Sequence, residues 1–159
     1  MAPQHWWIDV RDREADNPSP RGLRAATSPM AYARASPELR AGRYLVTLWD
    51  HRLLLIDAVR DKPGDRGGVV LDLTELAGEP AIFLPNAGGE IVTRVHLREA
   101  APDNTPMAKR QWRAELPVFE VSRPQPGEQL VMRGRAWKIL KLADDGDDGV
   151  IRSAWVAPA

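Results

Sequence analysis

The stretch from Pro117 to Val156, PVFEVSRPQPGEQLVMRGRAWKILKLADDGDDGVIRSAWV, decides the fold of this chain. Short apolar runs alternate in it with Gly, Pro and Asp punctuation. Pro117 to Ser122 reads as a first strand, and Pro126-Gly127-Glu128 turns the chain into Gln129 to Met132. Arg133-Gly134-Arg135 turns it again into Ala136 to Leu142. The acidic stretch Asp144 to Gly149 then leads to Val150 to Val156. Runs of β-branched, aromatic and aliphatic residues bounded by turn formers are what a meander of antiparallel hairpins requires.

Outward from this ribbon, the centre of the chain continues the pattern. Glu90 to Arg98 alternates most cleanly, with Ile91, Thr93, Val95 and Leu97 facing one way and Glu90, Arg94, His96 and Arg98 the other, as a half-buried strand does. Tyr44 to Trp49 and Arg52 to Val59 flank Asp50-His51, a connection of hairpin length. A Gly-rich loop over Lys62 to Gly68 precedes Val69 to Leu73, and Pro80 to Leu84 adds a short strand. The expected fold class is therefore mainly β, a small antiparallel barrel or sandwich spanning residues 43–159.

Two segments depart from this pattern. Residues 1–42 hold five prolines and few aliphatic residues after Trp6-Trp7-Ile8, so they read as an extended, Pro-rich amino-terminal arm. Within it Ser36-Pro37 suits the start of one helical turn. Residues 99–116 are too long for a turn. Thr105-Pro106 offers a cap and a first-turn proline, which predicts one short helix over Met107 to Leu116 in what is otherwise a long loop.

Composition bounds the function. A chain of 159 residues can bury a real core, and its 43% hydrophobic and 28% charged residues are those of an ordinary soluble domain. Lysine and arginine balance aspartate and glutamate at 22 each, which argues against a dedicated nucleic-acid binder. The absence of cysteine removes disulfides, thiolate metal sites and thiol nucleophiles. No apolar run approaches the ~20 residues of a membrane helix, and the first residues lack a signal-peptide pattern, so the expectation is no membrane contact and assembly in the cytoplasm.

Candidate chemistry is sparse. The Asp144 to Gly149 carboxylates invite calcium, but Gly146 stands where a ligand is needed and no closing glutamate follows, which leaves a solvated turn. His5, His51 and His96 form no metal-ligand pair, and Asp50-His51 has no partner nucleophile in an elbow motif. Gly64, Gly67 and Gly68 lack the Lys-Ser/Thr ending of a phosphate loop. No catalytic residue, metal or cofactor is expected. Two clusters remain as interaction candidates. Trp6, Trp7 and Ile8 are indole-rich on a polar arm, as subunit-interface anchors are. Lys109, Arg110, Trp112 and Arg113 combine cations with an aromatic, as surfaces facing DNA or a partner do.

Phe119-Glu-Val121, Pro126-Gly127-Glu-Gln-Leu130, Gly134-Arg-Ala-Trp137-Lys-Ile139, Asp144-Asp145-Gly146 and Ser153-Ala-Trp155-Val156 together resemble the carboxy-terminal half of the head-to-tail joining proteins of lambda-like tailed bacteriophages. The resemblance covers about a quarter of the chain and lies in strands and turns rather than a chemical signature. It implies a structural virion protein, a homo-oligomeric ring at the neck or connector, bound to portal or adaptor and tail proteins. DNA would pass through the channel without sequence-specific binding. Tail-tube and tail-terminator rings are alternatives from the same setting, and a β-barrel nucleic-acid-binding module is the alternative from another.

Overall fold

The computed structural model describes residues 5–13, 22–25, 27–100 and 111–159, and these are all β or turn, with no helix among them. The chain forms two compact units, Met1–Leu76 and Ala77–Ala159. The mainly β expectation holds, and a closed barrel is present.

The first unit is a curled five-stranded sheet in the order β1-β2-β5-β4-β3, from β1 (Asp9–Arg11), β2 (Met30–Arg34), β3 (Tyr44–Val46), β4 (Leu53–Asp61) and β5 (Gly68–Leu76). Every neighbouring pair is antiparallel. β4 and β5 are the long central strands, which is why their sequences are near-continuous aliphatic runs: Leu53 to Ile56 and Val69 to Leu71 are buried on both faces. One face packs Ala31, Leu54, Ile56, Val69, Leu71 and Leu73 into a core that Leu39 also joins. Ile8 and Val10 beside β2, and Leu45 beside β4, complete this core only in part.

The division of the chain thus differs from the one its composition suggests. Residues 9–11 and 30–34 lie inside the first unit's sheet, and the boundary between units falls after Leu76 rather than at 42. Ser36 starts a turn, taking the Glu38 N–H on its hydroxyl at 3.3 Å and the Leu39 N–H on its carbonyl at 3.1 Å.

The second unit is a closed barrel of β6 (Glu79–Leu84), β7 (Ile91–Ala100), β8 (Gln111–Pro117), β9 (Gln129–Met132), β10 (Arg135–Leu142) and β11 (Ile151–Pro158). Around the barrel the order is β10-β11-β8-β7-β6-β9, antiparallel throughout. Alternate residues fill the interior. Phe83, Val95, Ala114, Leu116, Leu130, Trp137, Ile139 and Val156 are buried there. The β9–β10 hairpin is a two-residue turn with both φ values positive, 51° at Arg133 and 71° at Gly134, matching the twist of the flanking strands.

Two local expectations are corrected. The short helix over Met107 to Leu116 is not formed: residues 107–110 lie outside the described residues, and Gln111–Pro117 is strand β8, ladder-bonded to both β7 and β11. The long-range ladder outweighs the local cap and proline signals. Pro117 to Ser122 is not a first strand either. Pro117 ends β8, and its carbonyl takes the N–H groups of Glu120 at 3.1 Å and Val121 at 2.9 Å, folding the segment into a turn.

Candidate assembly surface

Trp6, Trp7 and Ile8 stand immediately before β1. Ile8 packs against the first unit's core, while Trp7 is fully exposed and Trp6 partly so. Trp7 and Ile8 border an open groove of about 830 Å³ that Tyr32, Arg34 and Lys62 also line. The Arg11 guanidinium and the Lys62 ammonium stand 5.1 and 5.3 Å from the centre of the Tyr32 ring, cation–π contacts from β1 and from the end of β4.

At the far side of the same sheet, β3 leads into a loop whose tip is Leu48-Trp49-Asp50-His51. The Thr47 N–H donates to the Arg52 carbonyl at 3.1 Å and its hydroxyl accepts the Arg52 N–H at 2.8 Å, pinching the loop at its base. The Thr47 hydroxyl also donates to Asp50, and this bond holds the Asp50 carboxyl below its ordinary pKa. Trp49 is left almost wholly in solvent and Leu48 mostly so. Sequence reading placed both inside a strand. The signal that moves them to a loop is Asp50-His51, with His51 in the left-handed region at φ 52°. Arg52, at the start of β4, reaches Asp12 beyond β1 and Glu75 on β5, each at 2.6 Å. Those two hydrogen-bonded carboxylates raise its pKa further above an already high value.

The second set of candidates is described only in part. Lys109 and Arg110 lie outside the described residues. Trp112 turns into the barrel, where its ring meets that of Trp137 edge-on at a centroid distance of 5.2 Å. Arg113 is on the outer side of β8 yet buried, because the acidic turn between β10 and β11 folds over it. Its Nη1 donates to the Asp145 carboxylate at 2.8 and 3.0 Å and its Nη2 to the Asp145 carbonyl at 2.6 Å. The buried Nε has no hydrogen-bond partner among the described residues.

The acidic turn is therefore a structural clasp. Hydrogen bonding to Arg113 holds the Asp145 carboxyl below the usual range, and Arg152 at 2.7 Å together with the Gly149 N–H does the same for Asp147. Asp148 accepts the N–H groups of Val150 at 2.9 Å and Ile151 at 2.8 Å, which starts β11. At the turn after β8, Glu120 takes the Thr93 hydroxyl at 2.9 Å, the Arg94 N–H at 3.1 Å and the Arg94 Nε at 3.0 Å. Buried Glu128 accepts the Asn86 and Gln125 N–H groups at 3.1 and 2.6 Å. These carboxylates knit loops to strands.

His5 and His51 are in the first unit and His96 is on β7 of the second. Among the described residues no group of three His, Asp or Glu side chains is placed to hold a metal ion. In the glycine loop, Asp65 accepts the Gly67 N–H at 3.3 Å, an internal use of an amide that a phosphate would need. Comparison of the chain with protein-family models, with curated proteins and with solved structures gave no match.

Proposed function

We propose that this chain is a structural protein of a tailed-phage virion, acting as one copy of a ring at the head-to-tail joint through contacts between copies and with portal or adaptor and tail proteins. The observation that carries the reading is that the chain combines a closed barrel with an open sheet that has exposed tryptophans beside both of its edge strands. A closed barrel has no free edge and serves as a rigid block. Exposed tryptophans grouped on a polar chain mark surfaces that another protein covers. A balanced charge suits crowding among identical copies, and it spares a DNA channel a retentive basic wall. On this reading the protein performs no catalysis, and it belongs to the virion.

A nucleic-acid-binding module finds less support, because the Trp112 ring packs edge-on against Trp137 at the barrel core and Arg113 is committed to Asp145. Negative-stain microscopy of the purified protein, alone and mixed with capsid or tail extract, tests the proposal. Rings or decorated particles are expected. A protein that remains single and attaches to no virion part overturns it. In parallel, a filter-binding titration against DNA is expected to give no affinity that falls steeply with salt, whereas such affinity would favour the binding module.

A further inference from the structure

The first unit's sheet ends in two different edge strands, β1 and β3, and exposed apolar residues stand beside each of them. Just outside the two ends of β2, the Ala35 N–H donates to the Gly67 carbonyl and the Pro29 carbonyl accepts from the Leu73 N–H, so alternate main-chain groups along β2 serve β5 and the intervening ones serve β1. Asp9 and Arg11 are then the bonded partners of Tyr32 and Met30. Val10 between them turns its N–H and C=O away from the sheet. On the other side, the Arg43 carbonyl accepts from Ile56 and Thr47 donates to Arg52, so Val46 likewise turns its main chain outward. Beside the first edge stand Trp6, 39% exposed, and Trp7, 100% exposed; beside the second stand Val46, Leu48 and Trp49 at 49%, 66% and 96%. At these margins Ile8, Val10 and Leu45 pack on the core but are only partly covered.

We infer that copies of this chain join head to tail through these edges, the stretch His5–Ile8 of one copy lying against the β3 edge of the next so that Trp6 and Trp7 cover Val46, Leu48 and Trp49. This rests on the ring reading above and names the contact that would build the ring. A second copy is the occupant the observations favour, because one molecule carries both halves and each copy then covers both of its margins. A foreign partner on one edge would leave the other in water. Trp7 and Trp49 can each bury roughly 150–250 Å², and with the exposed parts of Trp6, Leu48 and Val46 the contact stays below the ~1,200 Å² at which stable pairwise interfaces begin, so it suits a ring in which every copy makes it twice better than an isolated pair. Unlike patches meeting head to tail form a closed ring when the rotation between copies closes, and a filament when it does not.

Mixing variants tests this. Trp7→Ser with Trp6→Ser removes the donor patch and Trp49→Ser with Leu48→Ser the acceptor patch; all four residues lie outside both cores, so far-UV circular dichroism should be unchanged. Native mass spectrometry of the wild type at high micromolar concentration should give a closed oligomer of one mass. Each variant alone should be monomeric, and an equal mixture of the two should give a one-to-one dimer that grows no further, because one good donor meets one good acceptor. A variant that retains the wild-type oligomer overturns this contact while leaving the ring proposal standing. A mixture that stays monomeric, or a wild type that never self-associates, overturns the contact as well. The ring proposal itself fails only if microscopy also finds no ring and no attachment to virion parts.

Discussion

Gly146 is the residue on which the clasp over Arg113 depends. Its φ of 80° lies in the left-handed region, and a Cβ there would collide with Arg113 Nη2 and come within 3.3 Å of Ser153 Oγ. Gly149, three residues on, has nearly the same φ of 79° but open space where its Cβ would go. Gly149→Ala should therefore cost only the backbone term, about 1 kcal/mol, and Gly146→Ala about 2–4 kcal/mol because the guanidinium must also move. Urea denaturation of the two variants measures the difference, and equal losses would mean that the turn does not clasp Arg113. The same contacts set an acid dependence. The Asp145 and Asp147 carboxyls are held below their unfolded values by Arg113 and Arg152, so their contribution is present above about pH 4 and is lost as the pH falls through the depressed folded values. Thermal midpoints taken between pH 6 and 2.5 should fall across that window. In Asp145→Asn the fall should be shallower, and an unchanged slope would count against the pairing.

Strand β8 shows at the scale of one element what the sequence reveals and what it hides. Trp112, Ala114 and Leu116 point inward while Arg113 and Glu115 point outward, a period of two. That period is masked because the central inward residue is alanine, a helix former, and because Thr105-Pro106 supplies the local signature of a helix start. Only the partners on β7 and β11, far off in sequence, decide the matter. The Pro-rich beginning was opaque for the same reason: β1 has three residues, and its pairing with Met30–Arg34 spans about twenty positions. By contrast β7 and the Arg133-Gly134 hairpin were legible, since alternation and turn chemistry are local. Of the candidate site, Trp6 and Trp7 were visible as indoles on a polar segment. Leu48 and Trp49 looked like strand residues until the loop they tip was seen. As β8 is the barrel member that carries fully buried Leu116 between two ladders, Leu116→Ala should lower stability by about 2–5 kcal/mol. Chemical denaturation followed by near-UV circular dichroism of the Trp112–Trp137 pair would record it. A loss below about 1 kcal/mol would be incompatible with a core position.

The whole molecule joins a unit that satisfies itself to one that does not. All six barrel strands come from Ala77–Ala159, each bonded on both sides within that segment, and the buried core cluster among the described residues starts at Ala81. Nothing in its ladder requires the first 76 residues. The sheet of Met1–Leu76 ends instead in two strands of three residues whose outer main chains face away, with tryptophans beside them. Expressed separately, Ala77–Ala159 should therefore fold, with a stability on the order of 4–12 kcal/mol if it follows the usual ~0.05–0.15 kcal/mol per residue. Its amide proton–nitrogen spectrum should be well dispersed and its thermal unfolding cooperative. Met1–Leu76 alone should keep strand content by circular dichroism but associate as its concentration rises, because its short edge strands are flanked by exposed indoles. A collapsed, poorly dispersed spectrum for Ala77–Ala159 would show that the barrel needs the rest of the chain. A strictly monomeric Met1–Leu76 would place the association surface elsewhere.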